Sequence, residues 1–348
     1  MSPVESSPRV IVYALGGTIA MSNSSGGGVV PALSAHDLLA AVPGLADTDI
    51  TVEVEDFRRV PGASLTIADI IALASAIGDR LTAVDGIVVV QGTDTIEETA
   101  YLLDLLHPGP QPVVVTGAMR NPTLAGADGP ANILAAIQTA ASAKSRNQGA
   151  LVVFNDEIHA ARRVRKTHTS SCGTFQSSNG GPLGYLVEGQ PRLLNQLTHR
   201  TVIPHKITAD IRVALLPITL GDDDIVVRSV ADHVDGLVIA GFGAGHVPTG
   251  LVPALETICA RIPVVLASRT GGGAVLSTTY GFSGSERDLL SRGLISAGYL
   301  DPIKARILLL TLLAAHCDRP TIAAAFGAAG GDTDATTWPW PTDRNGAL

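Results

Sequence analysis

Two threonines, an aspartate and a lysine stand where this sequence can use them for acyl chemistry. In "VIVYALGGTIAM" (10–21) a β-branched run reads as a buried strand, and Gly16 and Gly17 break it before Thr18. Neither glycine carries a Cβ, so the backbone can turn sharply or approach a ligand closely. In "VVVQGTDTIEETA" (88–100) a second strand ends at Gly92, and Thr93 and Asp94 come just before a helix. A hydroxyl and a carboxylate at a strand end, beside helix amides that attract anions, suit attack on an acyl group. Lys166 lies in the basic stretch "ARRVRKTHTSSCGTF" (161–175). A lysine can act as base for a threonine hydroxyl when burial or neighbouring charge lowers its pKa.

Each motif also has a plainer reading. The turn at Thr18 is equally a strand-to-loop connection with an incidental hydroxyl. Thr95 and Glu98 have capping-box spacing, which accounts for those two residues but not for Thr93 and Asp94. The basic stretch reads from charge alone as a solvated loop. A further strand followed by a glycine-rich connection, "VTGAMRNPTLAGADGPAN" (115–132), reads on its own as a loop.

These residues need a scaffold that collects strand ends. Strand-like runs at 86–92, 112–117 and 150–155 alternate with helical patterns at 96–106 and 128–144, the latter with Pro130 in its first turn. Strand patterns return at 213–218, 236–241 and 262–268. Such alternation implies parallel sheets with covering helices. The expected architecture is two α/β domains, a larger one at 1–195 and a smaller one at 213–330. A linker at 196–212 joins them, and a mobile tail follows at 331–348.

The 348 residues suffice for two substantial cores. With 46% hydrophobic and only 4% aromatic residues, those cores should be aliphatic. A net charge of −8 argues against a nucleic-acid binder, which needs a basic face. The start "MSPVESSPRV" lacks the pattern of a secretory signal, and no apolar run is long enough to cross a bilayer uninterrupted. Cys172, Cys259 and Cys317 are widely spaced with no CxxC, so neither a disulfide framework nor a cysteine metal site is expected. The expectation is a soluble cytoplasmic protein without membrane or nucleic-acid partners.

"GGTIA" (16–20), "GTDTIEETA" (92–100), "TGAMR" with "ADGPAN", and "GPLGY" (181–185) resemble the bacterial asparaginase/glutaminase family, in order from about residue 10 to 316. The resemblance implies a two-domain α/β amidohydrolase with no metal or organic cofactor, assembled as a homodimer or homotetramer. It implies hydrolysis of the L-asparagine side-chain amide to aspartate and ammonia through a threonine acyl-enzyme, with a weaker glutaminase activity alongside. By position Thr18 matches the nucleophile, Thr93 the second threonine, and Asp94 the acid that holds the substrate ammonium. Lys166 completes the arrangement, while Gly92 and Ala118 fall at substrate-binding positions.

The sequence departs from the family pattern in three places. Leu15 replaces a threonine before the glycines, which concerns packing. The segment "MSNSSGGGVVPAL" (21–33) has no tyrosine to activate the nucleophile, and its "NSSGGG" (23–28) reads as a lid or as a linker. Gly62 and Ala63, with Ser64 beside them, stand where a serine and a glutamine should bind the α-carboxylate and α-amine. His246 and Tyr280, in segments that match regions reaching a neighbouring subunit's site, are candidates for the vacated roles. Two other functions stay open: an amidase of the same fold for a different carboxamide, and a catalytically silent binding protein. A dinucleotide-binding enzyme fits poorly, because GGT lacks the G-x-G-x-x-G spacing.

Overall fold

Alternating apolar strands and helices build two units, one to Val202 and one from Ile203. The computed structural model describes residues 7–17, 21–23, 29–31, 34–207 and 210–340. In unit 1 the described strands are Arg9–Ala14 (β1), Met21–Asn23 (β2), Val29–Pro31 (β3), Thr51–Asp56 (β4), Gly86–Val90 (β5) and Val113–Thr116 (β6). They continue with Ala150–Phe154 (β7), Glu157–Ala160 (β8), Arg165–Lys166 (β9), Phe175–Gln176 (β10), Gly184–Val187 (β11) and Gln190–Leu193 (β12). The helices are Ala35–Ala40 (α1), Ile67–Arg80 (α2), Ile96–Leu106 (α3) and Gly129–Ala141 (α4).

Eight of these strands form one sheet in the order β12-β11-β8-β7-β6-β5-β1-β4. From β7 to β4 the neighbours run parallel, whereas β8, β11 and β12 extend the edge antiparallel. The sequence pattern anticipates the parallel part, whose strands β5, β6 and β7 are buried throughout. It does not separate β4 or the antiparallel edge, because those strands are short or partly polar. α1 and α2 start where side chains satisfy free amides: Ser34 with Asp37, and Thr66 with Asp69, form capping boxes.

β1 lies between β4 and β5, so the strand order reverses there. Open α/β sheets bind ligands outside the carboxyl ends of strands at such a reversal. Gly16 and Gly17 follow β1, and Gly92, Thr93 and Asp94 follow β5. The topology thus brings both glycine–threonine turns to the same place in unit 1.

Unit 2 carries the parallel sheet β13-β14-β15-β16, formed by Val213–Pro217, Gly236–Gly241, Val264–Ser268 and Ile295–Ser296. Its helices are Ile225–Ala231 (α5), Val252–Cys259 (α6), Glu286–Ser291 (α7), Pro302–Ala314 (α8) and Arg319–Gly330 (α9). The tail expected to be mobile is folded as far as residue 340. Ala335–Thr337 forms a 3₁₀ turn, Trp338 is buried, and the Trp340 ring lies 5.6 Å from Trp338 and 5.2 Å from His205. Two indoles carry too much apolar surface to be left in water when a neighbour can cover it. Among the described residues, no helix is long and apolar enough to cross a membrane.

Candidate active site

The turn after β5 is held by a side chain that the sequence reading passed over. Gln91 is fully buried, and its Nε2 donates to Gly92 O at 3.2 Å and to Thr95 Oγ1 at 3.1 Å. The Thr95 hydroxyl in turn donates to Gly62 O at 3.1 Å. The capping box expected from Thr95 and Glu98 is therefore not formed, and α3 starts without a side-chain cap bond from Thr95. Its hydroxyl ties two loops together instead. The signal for Gln91 was available: it is the one polar residue between an apolar run and the glycine.

That turn directs Thr93 inward and Asp94 outward. Thr93 is buried, while the Asp94 side chain is 59% exposed. Lys166 Nζ lies 2.9 Å from Thr93 Oγ1 and 3.3 Å from Asp94 Oδ1, with the Lys166 side chain only 18% exposed. A protonated lysine donates to the threonine at this distance. As a free amine it would accept the threonine's proton across the same contact.

Lys166 is carried by a two-stranded ribbon, not by the loose basic loop that charge alone suggests. β9 pairs antiparallel with β10, so that Lys166 faces Phe175 across the ribbon. The intervening loop is closed by Thr167 N donating to Thr174 O at 2.8 Å and His168 N donating to Thr174 Oγ1 at 2.8 Å. His168 Nδ1 accepts from both Ser170 N and Ser171 N at 3.0 Å.

Gly17, Gly62 and Gly92 pack backbone against backbone beside this group. Gly17 has φ of +91°, and a Cβ there would lie 2.1 Å from Gly92 N. A Cβ on Gly62 would lie 2.9 Å from Gly92 O. Thr18, bonded to Gly17, lies outside the described residues, as do residues 24–28 of the expected lid. Ala63 and Ser64 are exposed on the 3₁₀ turn Gly62–Ser64. The nearby cations are already engaged, Arg58 with Asp69 at 2.7 Å and Arg59 with Asp56 at 2.8 Å. Leu15 is wholly buried, as a packing role requires.

Ala118, expected at a substrate-binding position, lies in the loop after β6. Its side chain is buried in the unit 1 core, so only its backbone is left to meet a ligand. Asp128 fixes that backbone by accepting from Met119 N at 3.0 Å and Arg120 N at 2.8 Å. Asn132 Nδ2 donates to Gly117 O at 3.0 Å. The "ADGPAN" motif thus shapes the loop after β6.

In unit 2, His246 and Tyr280 belong to one cluster. Their rings lie 4.8 Å apart, Phe282 lies 5.0 Å from His246, and both Tyr280 and Phe282 are exposed. Beneath them is Glu286, a wholly buried carboxylate that the sequence reading did not single out. It accepts from Thr279 N at 3.1 Å and Tyr280 N at 2.8 Å, and its Oε2 lies 3.1 Å from His246 Nε2. Burial raises its pKa, but the backbone bonds and His246 outweigh that and hold the carboxyl below the usual glutamate range.

A hydroxyl, a lysine amine and a carboxylate thus meet at the carboxyl ends of a parallel sheet where its strand order reverses, the place where open α/β enzymes bind ligands. Residues 9–199 match the family model "Asparaginase, N-terminal", and residues 212–326 match "Glutaminase/Asparaginase C-terminal domain". The chain belongs to the asparaginase family. A Deinococcus radiodurans protein named "Probable L-asparaginase" is 36% identical over 92% of this chain and 97% of its own length. L-asparaginase 2 of Escherichia coli is 33% identical over 92% of each chain. The crystal structure of a probable cytoplasmic L-asparaginase from Campylobacter jejuni superposes with a TM-score of 0.81 at 32% identity. That superposition covers 92% of this chain and 99% of the other.

Proposed function

We propose that this protein hydrolyses the side-chain amide of L-asparagine to L-aspartate and ammonia through an ester on threonine. The observation that carries this reading is the Lys166 Nζ–Thr93 Oγ1 contact of 2.9 Å with Asp94 alongside at 3.3 Å. A threonine oxygen attacks the amide carbon while its proton passes to a basic group. The C–N bond then breaks, nitrogen leaves protonated as ammonia, and water cleaves the ester to give the carboxylate. Thr18 and Thr93 are the two reacting hydroxyls. Thr18 is assigned by its sequence match and by its bond to Gly17, which abuts Gly92. Asp94, exposed and acidic, holds the substrate α-ammonium, and backbone amides at the glycine turns meet the oxyanion, at about 2.7–4 kcal/mol per donor.

Ammonia release from L-asparagine, L-glutamine and L-asparaginamide, followed by a coupled assay, tests this reading. Release from asparagine exceeding that from glutamine supports it, and no release from any of the three overturns it. One observation favours a different carboxamide as preferred substrate: Gly62 and Ala63 offer no side-chain donor, and Arg58 and Arg59 are paired. Faster turnover of asparaginamide than of asparagine would establish that second reading. The protein acts as a homodimer or homotetramer in the cytoplasm, the location named for the Campylobacter jejuni neighbour. A Haemophilus influenzae relative is instead named periplasmic, so cell fractionation decides the location.

A further inference from the structure

Lys166 sits on strands of two residues each, β9 and β10. An isolated two-stranded ribbon is marginally stable in water, so whatever fastens this one decides where the ammonium points. Two fastenings reach it from the main sheet. Phe175, opposite Lys166 in the ribbon, packs on Phe154 of β7 with ring centroids 4.8 Å apart. Ser177, next after β10, has its Oγ 2.9 Å from Nδ1 of His159 on β8.

His159 is 1% exposed, and burial lowers its pKa to about 4, so the imidazole is neutral near pH 7. Its Nε2 faces the Glu157 carboxylate at 3.2 Å, off the line of a well-formed hydrogen bond. The Glu157 carboxylate beside Nε2 favours the ring proton there, the tautomer in which Nδ1 accepts from the Ser177 hydroxyl. Ser177 is itself buried. Neither side chain is open to substrate, and the amide chemistry uses neither. A buried histidine committed to a serine at the end of a short ribbon is a costly arrangement unless it fixes something.

We propose that the His159–Ser177 hydrogen bond is the positioning device for Lys166. It locks the β10 end of the ribbon to β8 and so sets the distance from Lys166 Nζ to Thr93 Oγ1. The proposal rests on Lys166 acting on Thr93 in the proposed hydrolysis. Misplacement of a catalytic group by about 1 Å can lower the rate by about a hundredfold. Ser177→Ala should therefore lower kcat about ten- to a hundredfold with little change in KM. His159→Leu should do the same, and the double variant should be no worse than either single one, since one bond is lost in all three.

His159→Asn, whose amide can meet Ser177 from the Nδ1 side, should restore much of the rate. In a Lys166→Met background Ser177→Ala should cost nothing further, because the bond acts through the lysine. A crystal structure of Ser177→Ala should show Lys166 Nζ out of hydrogen-bonding reach of Thr93, a readout independent of turnover. The proposal is overturned if folded Ser177→Ala keeps the wild-type kcat, if it loses rate equally in the Lys166→Met background, or if its Lys166–Thr93 contact is unchanged. If the wild type releases no ammonia, the hydrolysis reading fails, and the crystal structure of Ser177→Ala still decides the positioning.

Discussion

Gly62 meets Gly92 backbone to backbone, with room for no β-carbon between them: one on Gly62 would lie 2.9 Å from Gly92 O. The Thr95 hydroxyl bonded to Gly62 O at 3.1 Å holds the two loops at that separation. Position 62 therefore lacks a side-chain donor for a reason beyond composition, since the backbone of Gly92 occupies the space a side chain there would need.

Replacement of Gly62 by serine should consequently fail to improve asparagine binding. It should lower Tm by several degrees, because a backbone carbonyl cannot give way as a flexible side chain can. Ala63 is exposed, so Ala63→Gln should be tolerated and should lower KM for asparagine with kcat unchanged. Thermal melts and Michaelis kinetics of the two single variants distinguish these outcomes.

Gly17→Ala should be the more damaging glycine change. Its φ of +91° is in the left-handed region, and a Cβ would lie 2.1 Å from Gly92 N. The strained backbone alone costs about 1–3 kcal/mol, before the steric clash is counted. Urea unfolding should show lower stability together with loss of nearly all activity, because Gly17 abuts the turn that carries Thr93 and immediately precedes the proposed nucleophile in the sequence. Full activity in Gly17→Ala would remove the close approach from the account.

Acid should weaken the fold through two buried histidines. Burial lowers the pKa of both His107 and His159 from 6.5 to about 4. Well above pH 6.5 each is neutral in both states, and as pH falls through 6.5 the unfolded chain begins to take up the proton. Between about 6.5 and 4 the unfolded chain binds the proton and the folded one does not, so stability falls with pH across that window. The loss is on the order of 3 kcal/mol per histidine. Unfolding free energy should fall from pH 7 to 4, and His159→Asn should make that fall shallower by close to one proton. A pH-independent stability across the window would contradict it.

Tyr280 and Phe282 expose aromatic surface over the buried Glu286, and by the proposed assembly this cluster borders a partner's site. Light scattering should then give a dimer or tetramer. Tyr280→Ser should weaken assembly and activity together on dilution. Fully active monomers would exclude a shared site.

Much of this was legible in the sequence because parallel strands buried on both faces leave uninterrupted runs such as Val88–Val90, and glycine breaks mark their ends. Thr93 and Asp94 could be named for the same reason, since the capping-box spacing of Thr95 and Glu98 leaves them unexplained, whereas Lys166, in a stretch that reads from charge as a solvated loop, was assigned by the family resemblance. What escaped depended on contacts across the chain. Thr95 looks like a cap until Gly62 O and Gln91 are placed beside it. Glu286 looks like any acid in a short helix until the amides of Thr279 and Tyr280 close on it. The tail reads as mobile until Trp338 is seen buried. Ala118 reads as a contact residue, and only the core around it shows that its side chain is buried.

The most direct test of the account is the kcat for ammonia release from L-asparagine by Lys166→Met, measured beside the wild type and Thr93→Ala at equal fold integrity. Transfer of a proton by a positioned group contributes about 10²–10⁴-fold. The account predicts that both variants lose at least about a hundredfold in kcat while retaining the wild-type circular dichroism spectrum and melting behaviour. A folded Lys166→Met variant that turns over asparagine at the wild-type rate would contradict it, whatever the 2.9 Å contact with Thr93 suggests.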